Sequence, residues 1–554
     1  MERKISRRGL ISMGATAAAG AILAACAPRG APVPDVEPAQ AVDVPKAAEP
    51  EVAEPTPAPE IIEIEVVRGE NPAQPVLADG PARRELTKHT GIRLRMNVVP
   101  TDYSAKVSVW LASDTVPDFM RVTADNIRDY VPHGVMLPQT ALIAQHAPNA
   151  QRFLDAQPDI KRQLFDGEVY YVPTMRWNSR GDLNMPCFRM DILEKHGIAA
   201  PTNFDEILDV IKEMKKAEPN SLGWTQRIFG HSASHRLFTN TAFSFGSGYP
   251  MYYDYDEEKW MYGPLYPEFK ELLDYFTRAY SQGVLDPDYA TTTPDMWHEK
   301  NSAGRGLFSY ENMSFAIRWN GALRSIDPEG TWGVVPTPEG LKGIRKTTVR
   351  GSLGGGWIMG RANKYPERTI QMIDWMFTPY GLDTTNWGVE GTHYEVVKPR
   401  PESIEDFTIE GIDTAMPPDR NELFPDVWEE YNQRTDPFRT FQSETSTGLL
   451  DFSILYDSAI EDQWDPPGEV DEWYVISRSD PNQVPSVAAP PFSPDQVDRV
   501  MEIITNIEAI LVPSYERVIL GRETLADYEK AVQQAISAGA KDLEDLYNEA
   551  EAAM

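Results

Sequence analysis

The chain has 554 residues, with 84 acidic against 52 basic side chains and a formal charge of −32. That balance argues against a nucleic-acid partner, which needs a basic footprint, and against adhesion to anionic lipid headgroups. Two cysteines, Cys26 and Cys187, are too few for a disulfide scaffold or a cysteine-built zinc site.

The first 25 residues read as an export signal: basic residues, the pair Arg7-Arg8, then an Ala/Gly-rich apolar stretch. The paired arginines point to the twin-arginine route. Leu23-Ala24-Ala25-Cys26 resembles a lipobox, in which Cys26 is acylated and becomes the mature N-terminus. Residues 27–60 hold nine prolines and seven acidic residues with almost no large apolar side chains. Such a segment cannot bury enough surface to fold, and its prolines favour an extended tether of about 3.1 Å per residue. The expected protein is therefore lipid-anchored on the extracytoplasmic face of a membrane. No later stretch approaches a membrane span. Roughly 490 residues follow the tether, too many for one core, so two lobes or more are expected.

From there strands alternate with helices. Residues 61–67 form a strand, 82–90 a helix stopped by Gly91, 92–99 a period-two strand, 103–113 a helix and 119–122 a short buried strand. Apolar stripes at Ile207, Leu208, Ile211 and Met214, and at Phe269, Leu272, Leu273 and Phe276, mark helices over 204–217 and 268–281 that face a core. Helices also cover 366–377, 495–512 and 524–550. The alternation implies an α/β class with largely parallel sheets.

Seven stretches, in order, carry a resemblance. They are Glu85–Ile92, Trp110–Asp118, Leu137–Leu164, Phe165–Pro173, Arg189–Thr202, Tyr280–Asp288 and Asn386–Tyr394. Together they resemble family 1 extracellular solute-binding proteins, the substrate-binding lipoproteins of ABC importers, and within them the large branch associated with oligosaccharides. The sequence departs from the family pattern at Thr115 and Met190, and 400–490 matches no motif. The resemblance implies a two-lobed, type II periplasmic-binding-protein-like α/β fold with discontinuous lobes and an interlobe cleft. Crossovers are expected near Tyr171–Trp177, Val349–Gly356 and Trp387–Val396. The lobes then divide as 61–175 and 349–390 (N-lobe) and 176–348 and 391–554 (C-lobe, with the C-terminal helices).

A sugar cleft needs flat aromatic faces for pyranose rings and planar polar groups for hydroxyls. Aromatic and polar residues at strand ends or crossovers are the candidate ligand contacts: Arg121, Asp125, Trp177, Trp224, Tyr310, Glu311, Trp357, Trp387 and Glu390. Asp118 is expected to bond backbone amides. Enzymatic signals fail. Gly230–Ser234 lacks the last glycine of a nucleophile elbow, and Gly351–Gly356 leads into a strand rather than a phosphate-capping helix. Asp254–Leu265 departs from a calcium loop at Lys259 and Leu265, and reads as a hairpin. The expected protein is a non-enzymatic, cofactor-free and monomeric receptor that captures an oligosaccharide and delivers it to ABC permease subunits. A surface-anchored glycosidase or lyase, and a peptide-binding protein, stay open as alternatives.

Overall fold

The computed structural model describes residues 61–70, 76, 80–155, 158–165, 167–176, 184–230, 232–349, 353–386, 388–396, 432–434, 453–454, 473, 476 and 483–554. The chain divides into two units, Met1–Ala58 and Pro59–Met554, and the fold that follows is that of the second. Cys26, the export signal and the proline-rich segment lie outside the described residues.

The second unit opens with β1 (Ile62–Gly69), α1 (Pro81–Thr90), β2 (Ile92–Val99), α2 (Tyr103–Ala112) and β3 (Phe119–Val122). Alternation in β1 buries Ile62, Ile64 and Val66 and turns Glu63 and Glu65 outward, where Arg93 and Arg95 meet them at 3.4 and 2.8 Å. Exposed pairs of this kind contribute at most about 1 kcal/mol, so burial holds the parallel register from Ile62↔Ile92 to Gly69↔Val99. Gly91 ends α1 at φ +70°, a left-handed cap whose N–H donates to the Thr87 carbonyl. Asp118 does bond a backbone amide, but that of Glu65 in β1, at 3.0 Å, rather than one in its own turn.

The chain continues through α3 (Ala124–Tyr130), α4 (Thr140–His146), α5 (Pro148–Asp155), β4 (Leu164–Phe165), β5 (Glu168–Val169) and β6 (Tyr171–Arg176). Next come β7 (Asn184–Arg189), α6 (Met190–His196), α7 (Phe204–Ala217), β8 (Gly223–Trp224), α8 (Ala233–Thr241) and the hairpin β9 (Met251–Asp254) and β10 (Lys259–Tyr262). Then follow α9 (Pro267–Ser281), α10 (Pro294–Ser302), β11 (Gly306–Asn312), α11 (Ser314–Leu323), β12 (Trp332–Val334) and β13 (Thr347–Val349). The last elements are β14 (Leu353–Met359), α12 (Pro366–Met376), α13 (Pro379–Asn386), β15 (Tyr394–Val396), β16 (Asn432–Arg434), β17 (Ser453–Ile454), β18 (Gln483–Pro485), α14 (Pro494–Ile519), α15 (Leu525–Ser537) and α16 (Ala540–Ala552).

Two sheets carry the fold. The first has six strands in the order β17-β6-β14-β3-β1-β2, the second four in the order β12-β7-β11-β8. Helices cover both faces of each. On the first sheet, Ile64, Val66, Phe119 and Trp357 pack with Leu86, Ile370 and Ile373. On its other face, Val67, Met120 and Ile358 pack with Val107 and Leu111. The second sheet buries Phe188, Phe308 and Tyr310 with Ile207 and Phe276 on one side, and Met185 and Cys187 with Trp297, Trp319 and Trp332 on the other.

Neither sheet is as parallel as the alternation of elements suggests. β14 runs antiparallel to β3 and β6, and β7 antiparallel to β11 and β12. The cause is topological. β14 begins four residues after β13, which pairs with β18 in a separate two-stranded sheet, and it enters the first sheet at its partners' carboxyl end and so runs against them. The C-terminal helices also differ from expectation. α14 continues through Pro513 to Ile519, and the final helical stretch breaks at Gly539 (φ +105°) into α15 and α16. All three contribute to the core that holds Trp224 and Phe276. Two pieces expected with the second sheet pack with the first instead: Tyr394 joins its core and β17 pairs with β6.

Candidate functional site

The passage from β6 to β7 joins the two large sheets, and the passage from β13 to β14 enters the first sheet from the small β13–β18 sheet. β6 stops at Arg176 and β7 starts at Asn184, a separation of at most roughly 28 Å of extended chain. β13 stops at Val349 and β14 starts at Leu353, at most about 14 Å. The carboxyl end of β6, the amino end of β14 and the carboxyl end of β3 lie at one end of the first sheet. In the second sheet, the amino end of β7, reached directly from β6, pairs with the carboxyl end of β11, Asn184 opposite Asn312. Open α/β sheets hold ligands beyond strand carboxyl ends.

At the second sheet's facing end the side chains build a charged cluster. Glu311 is fully buried at the end of β11. Its carboxylate accepts from Arg227 Nε at 3.2 Å and from Arg227 Nη2 at 3.0 Å. It also accepts from Arg236 Nε at 3.0 and 3.1 Å, from Arg236 Nη2, and from the Asn312 N–H at 3.1 Å. Arg236 Nη2 further donates to Asn184 Oδ1 at 3.3 Å, which binds α8 to β7. Burial pushes the Glu311 carboxyl upward, but the Arg236 hydrogen bonds and the charges of Arg236 and Arg227 outweigh it and hold the group below the usual carboxylate range. Burial draws the Arg227 guanidinium down and Glu311 opposes the shift; an arginine stays cationic regardless. Two guanidinium groups against one carboxylate leave the cluster at +1.

Aromatic rings surround it. The Arg227 guanidinium lies 5.1 Å from Trp297, 5.2 Å from Phe229 and 5.3 Å from Phe315, and Arg236 lies 4.6 Å from Phe229. Trp297 and Phe315 are buried or half-buried, but Phe229 is 39% exposed. Gln226, one residue before Arg227, is fully buried, and among the described residues neither its Oε1 nor its Nε2 has a hydrogen-bond partner. At the first sheet's facing end, the Tyr103 hydroxyl lies 3.1 Å from the Val67 carbonyl and 2.6 Å from the Arg121 carbonyl, bridging β1 and β3. Burial pushes that hydroxyl's pKa up, while Arg121 and Arg68 act on it in the opposite sense, so both arginines lie within electrostatic reach.

The structure distributes the sequence-predicted residues unevenly. Trp224 is fully buried, edge-on to Phe308 at 4.6 Å and Phe276 at 5.4 Å. Tyr310 is 1% exposed in the same core. Trp357 is fully buried and stacked on Phe119 at 5.4 Å. All three are core side chains rather than surfaces offered to a ligand. Glu311 is at the site but buried, so its contacts are with Arg227 and Arg236. Arg121 is at the end of β3, half-buried and in register with Trp357. Glu390 is exposed and bridged to Tyr394, whose hydroxyl it helps push upward after burial. Asp125 falls in the first turn of α3 with its side chain outside the described residues; Trp177 and Trp387 also lie outside them.

Arg227, Phe229, Arg236 and Phe315 were not among the sequence candidates. Arg227 and Phe229 stand three and five residues past the end of β8, a strand-end signal available in the sequence. Arg236 needs Glu311, 75 residues away, to acquire meaning. Among the described residues no group of three or more His, Cys, Asp or Glu could hold a metal ion. In the β9–β10 turn, Asp254 Oδ1 accepts the N–H groups of Asp256 and Glu257 at 2.9 Å, and Lys259 pairs with Glu257, so the carboxylates there serve the turn. A surface cavity of about 600 Å³ lies elsewhere, between α7 and α9, beside Phe204, Tyr275 and Arg278.

The profile of the bacterial extracellular solute-binding proteins matches residues 71–381. This chain belongs to that family. Among curated relatives, this solute-binding protein is 22% identical over 325 residues to the fructooligosaccharide ABC transporter substrate-binding protein FusA of Streptococcus pneumoniae. The match covers 56% of this chain and 59% of FusA. It is also 22% identical over 333 residues to lipoprotein LipO of Bacillus subtilis, covering 57% of this chain and 64% of LipO. The chain therefore spans about three fifths of the length of these two relatives. Among solved structures, alginate-binding protein AlgQ2 without calcium ion matches 89% of this chain and 98% of its own, at TM-score 0.68 and 18% identity. That likeness fixes the fold as two-lobed, α/β and periplasmic-binding-protein-like.

Proposed function

We propose that this solute-binding protein captures an oligosaccharide between the facing ends of its two sheets and presents it to the permease of an ABC importer. The observation that carries the reading is Phe229, an exposed aromatic ring past the end of β8 beside two guanidinium groups, one of which bonds Asn184 where the chain enters the second sheet. An aromatic face suits the apolar side of a pyranose ring, and planar guanidinium groups suit ring hydroxyls. The relationship to FusA supports a saccharide ligand and an ABC partner. The N-lobe is assigned 61–175 and 349–396 with β17, and the C-lobe 176–348 and the C-terminal helices. Closure of one lobe on the other around ligand completes the site, because both lobes touch the solute only when closed. No bond is made or broken. Acylation at Cys26 holds the receptor at the extracytoplasmic face, and the acidic, proline-rich segment sets its reach.

Calorimetric titration with fructo-, malto-, galacto- and uronic-acid oligosaccharides, paired with small-angle scattering, tests this. At least one glycan binds, and it shrinks the radius of gyration. Peptide binding with no response to any glycan refutes the reading.

A further inference from the structure

The charge at the strand-end cluster is unbalanced in a way that a purely structural ion pair does not require. One arginine neutralises Glu311; the second leaves +1 in a site where both guanidinium side chains are only 12% exposed. Uncompensated charge is costly at that burial. The hydrogen bonds to Glu311 and Asn184 use Nε and Nη2 of each arginine. Among the described residues the Nη1 groups of Arg227 and Arg236 have no hydrogen-bond partner, and neither is a buried unsatisfied atom. The surplus stands beside Phe229, the exposed ring, within a chain of net charge −32. A second unsatisfied element stands one residue before Arg227: among the described residues the buried Gln226 amide has no partner for either polar atom.

We propose that the glycan taken here is anionic, an oligosaccharide carrying uronic-acid carboxylates. One carboxylate docks on the free Nη1 groups of Arg227 and Arg236, and its pyranose ring lies against Phe229. Glu311 is a positioning residue: it orients both guanidinium groups and touches no ligand. The carboxylate brings the cluster to neutrality, and charge-assisted bonds to guanidinium are stronger than those a neutral hydroxyl accepts. This rests on the receptor reading above and narrows it.

The test titrates the wild-type protein with oligogalacturonate and oligoguluronate tetrasaccharides, with the carboxyl-reduced counterpart of each, and with neutral fructo- and maltotetraoses. An acidic tetrasaccharide binds at least about 30-fold more tightly than its reduced form. Arg227→Gln, checked for folding by circular dichroism, brings that ratio close to one. Equal affinity for the acidic and reduced forms, or binding confined to neutral glycans, overturns the anionic assignment and leaves the receptor standing. Silence toward every glycan up to millimolar concentration overturns the receptor itself.

Discussion

Glu311 and Phe229 sit at the same strand-end cluster but do different work. Glu311 has no exposure and two cationic partners, so removing its charge strands two guanidinium groups in a largely buried site. Glu311→Gln is expected to cost about 3 kcal/mol in chemical denaturation; a loss under about 1 kcal/mol would mean that the cluster does not hold the end of β11. The same residue sets an acid limit. Its folded-state pKa is depressed, so its stabilisation is fully present above the ordinary glutamate value of about 4.3 and is lost as pH falls through the lower folded value. Melting temperatures followed downward from pH 5 should fall more steeply for wild type than for Glu311→Gln, and parallel curves would exclude this linkage. Residue scale is also where the sequence misleads. Trp224, Tyr310 and Trp357 lie in strands that approach the facing sheet ends, the right place for ligand contacts, yet helices pack over the faces on which these three side chains stand, so all three are inside. At this end of the second sheet the exposed ring is Phe229, five residues past the end of β8.

At the scale of elements, period two and period 3.6 are legible wherever one face meets water. β2, α1, α7 and α9 fall within a residue of their expected bounds for that reason. Sheet direction is not legible, because it depends on where the chain re-enters each sheet. The end of α14 was missed because Pro513 is a local stop signal that tertiary packing overrides: Leu511, Ser514 and Tyr515 on either side are buried in the core and hold the helix continuous. Pro513 still lacks the N–H that would reach the Ala509 carbonyl. Pro513→Ala is therefore expected to raise stability by roughly 1–3 kcal/mol, read as a shifted denaturation midpoint. A lower midpoint would show that the packing needs the bend proline imposes.

Across the whole molecule, the C-terminal helices bind both sheets' surroundings together. Arg162, just before β4, forms a two-point pair with Glu551 of α16 at 2.6 Å, and Trp260 Nε1 of β10 donates to the same carboxylate at 3.0 Å. Burial raises the Glu551 pKa, but Arg162, Trp260 and Lys161 hold it below its usual range. At the other end of the chain, Cys26→Ala should leave glycan affinity unchanged and move the protein from the membrane to the soluble fraction; retention on membranes would refute the lipid anchor. The central claim is that the solute seats on the strand-end cluster of the second sheet. Titrating the tightest-binding oligosaccharide into Phe229→Ala tests it most directly. The account predicts roughly tenfold weaker binding, the worth of one aromatic face, with stability lowered by no more than about 1 kcal/mol from the lost guanidinium contacts. Wild-type affinity in that variant would contradict it.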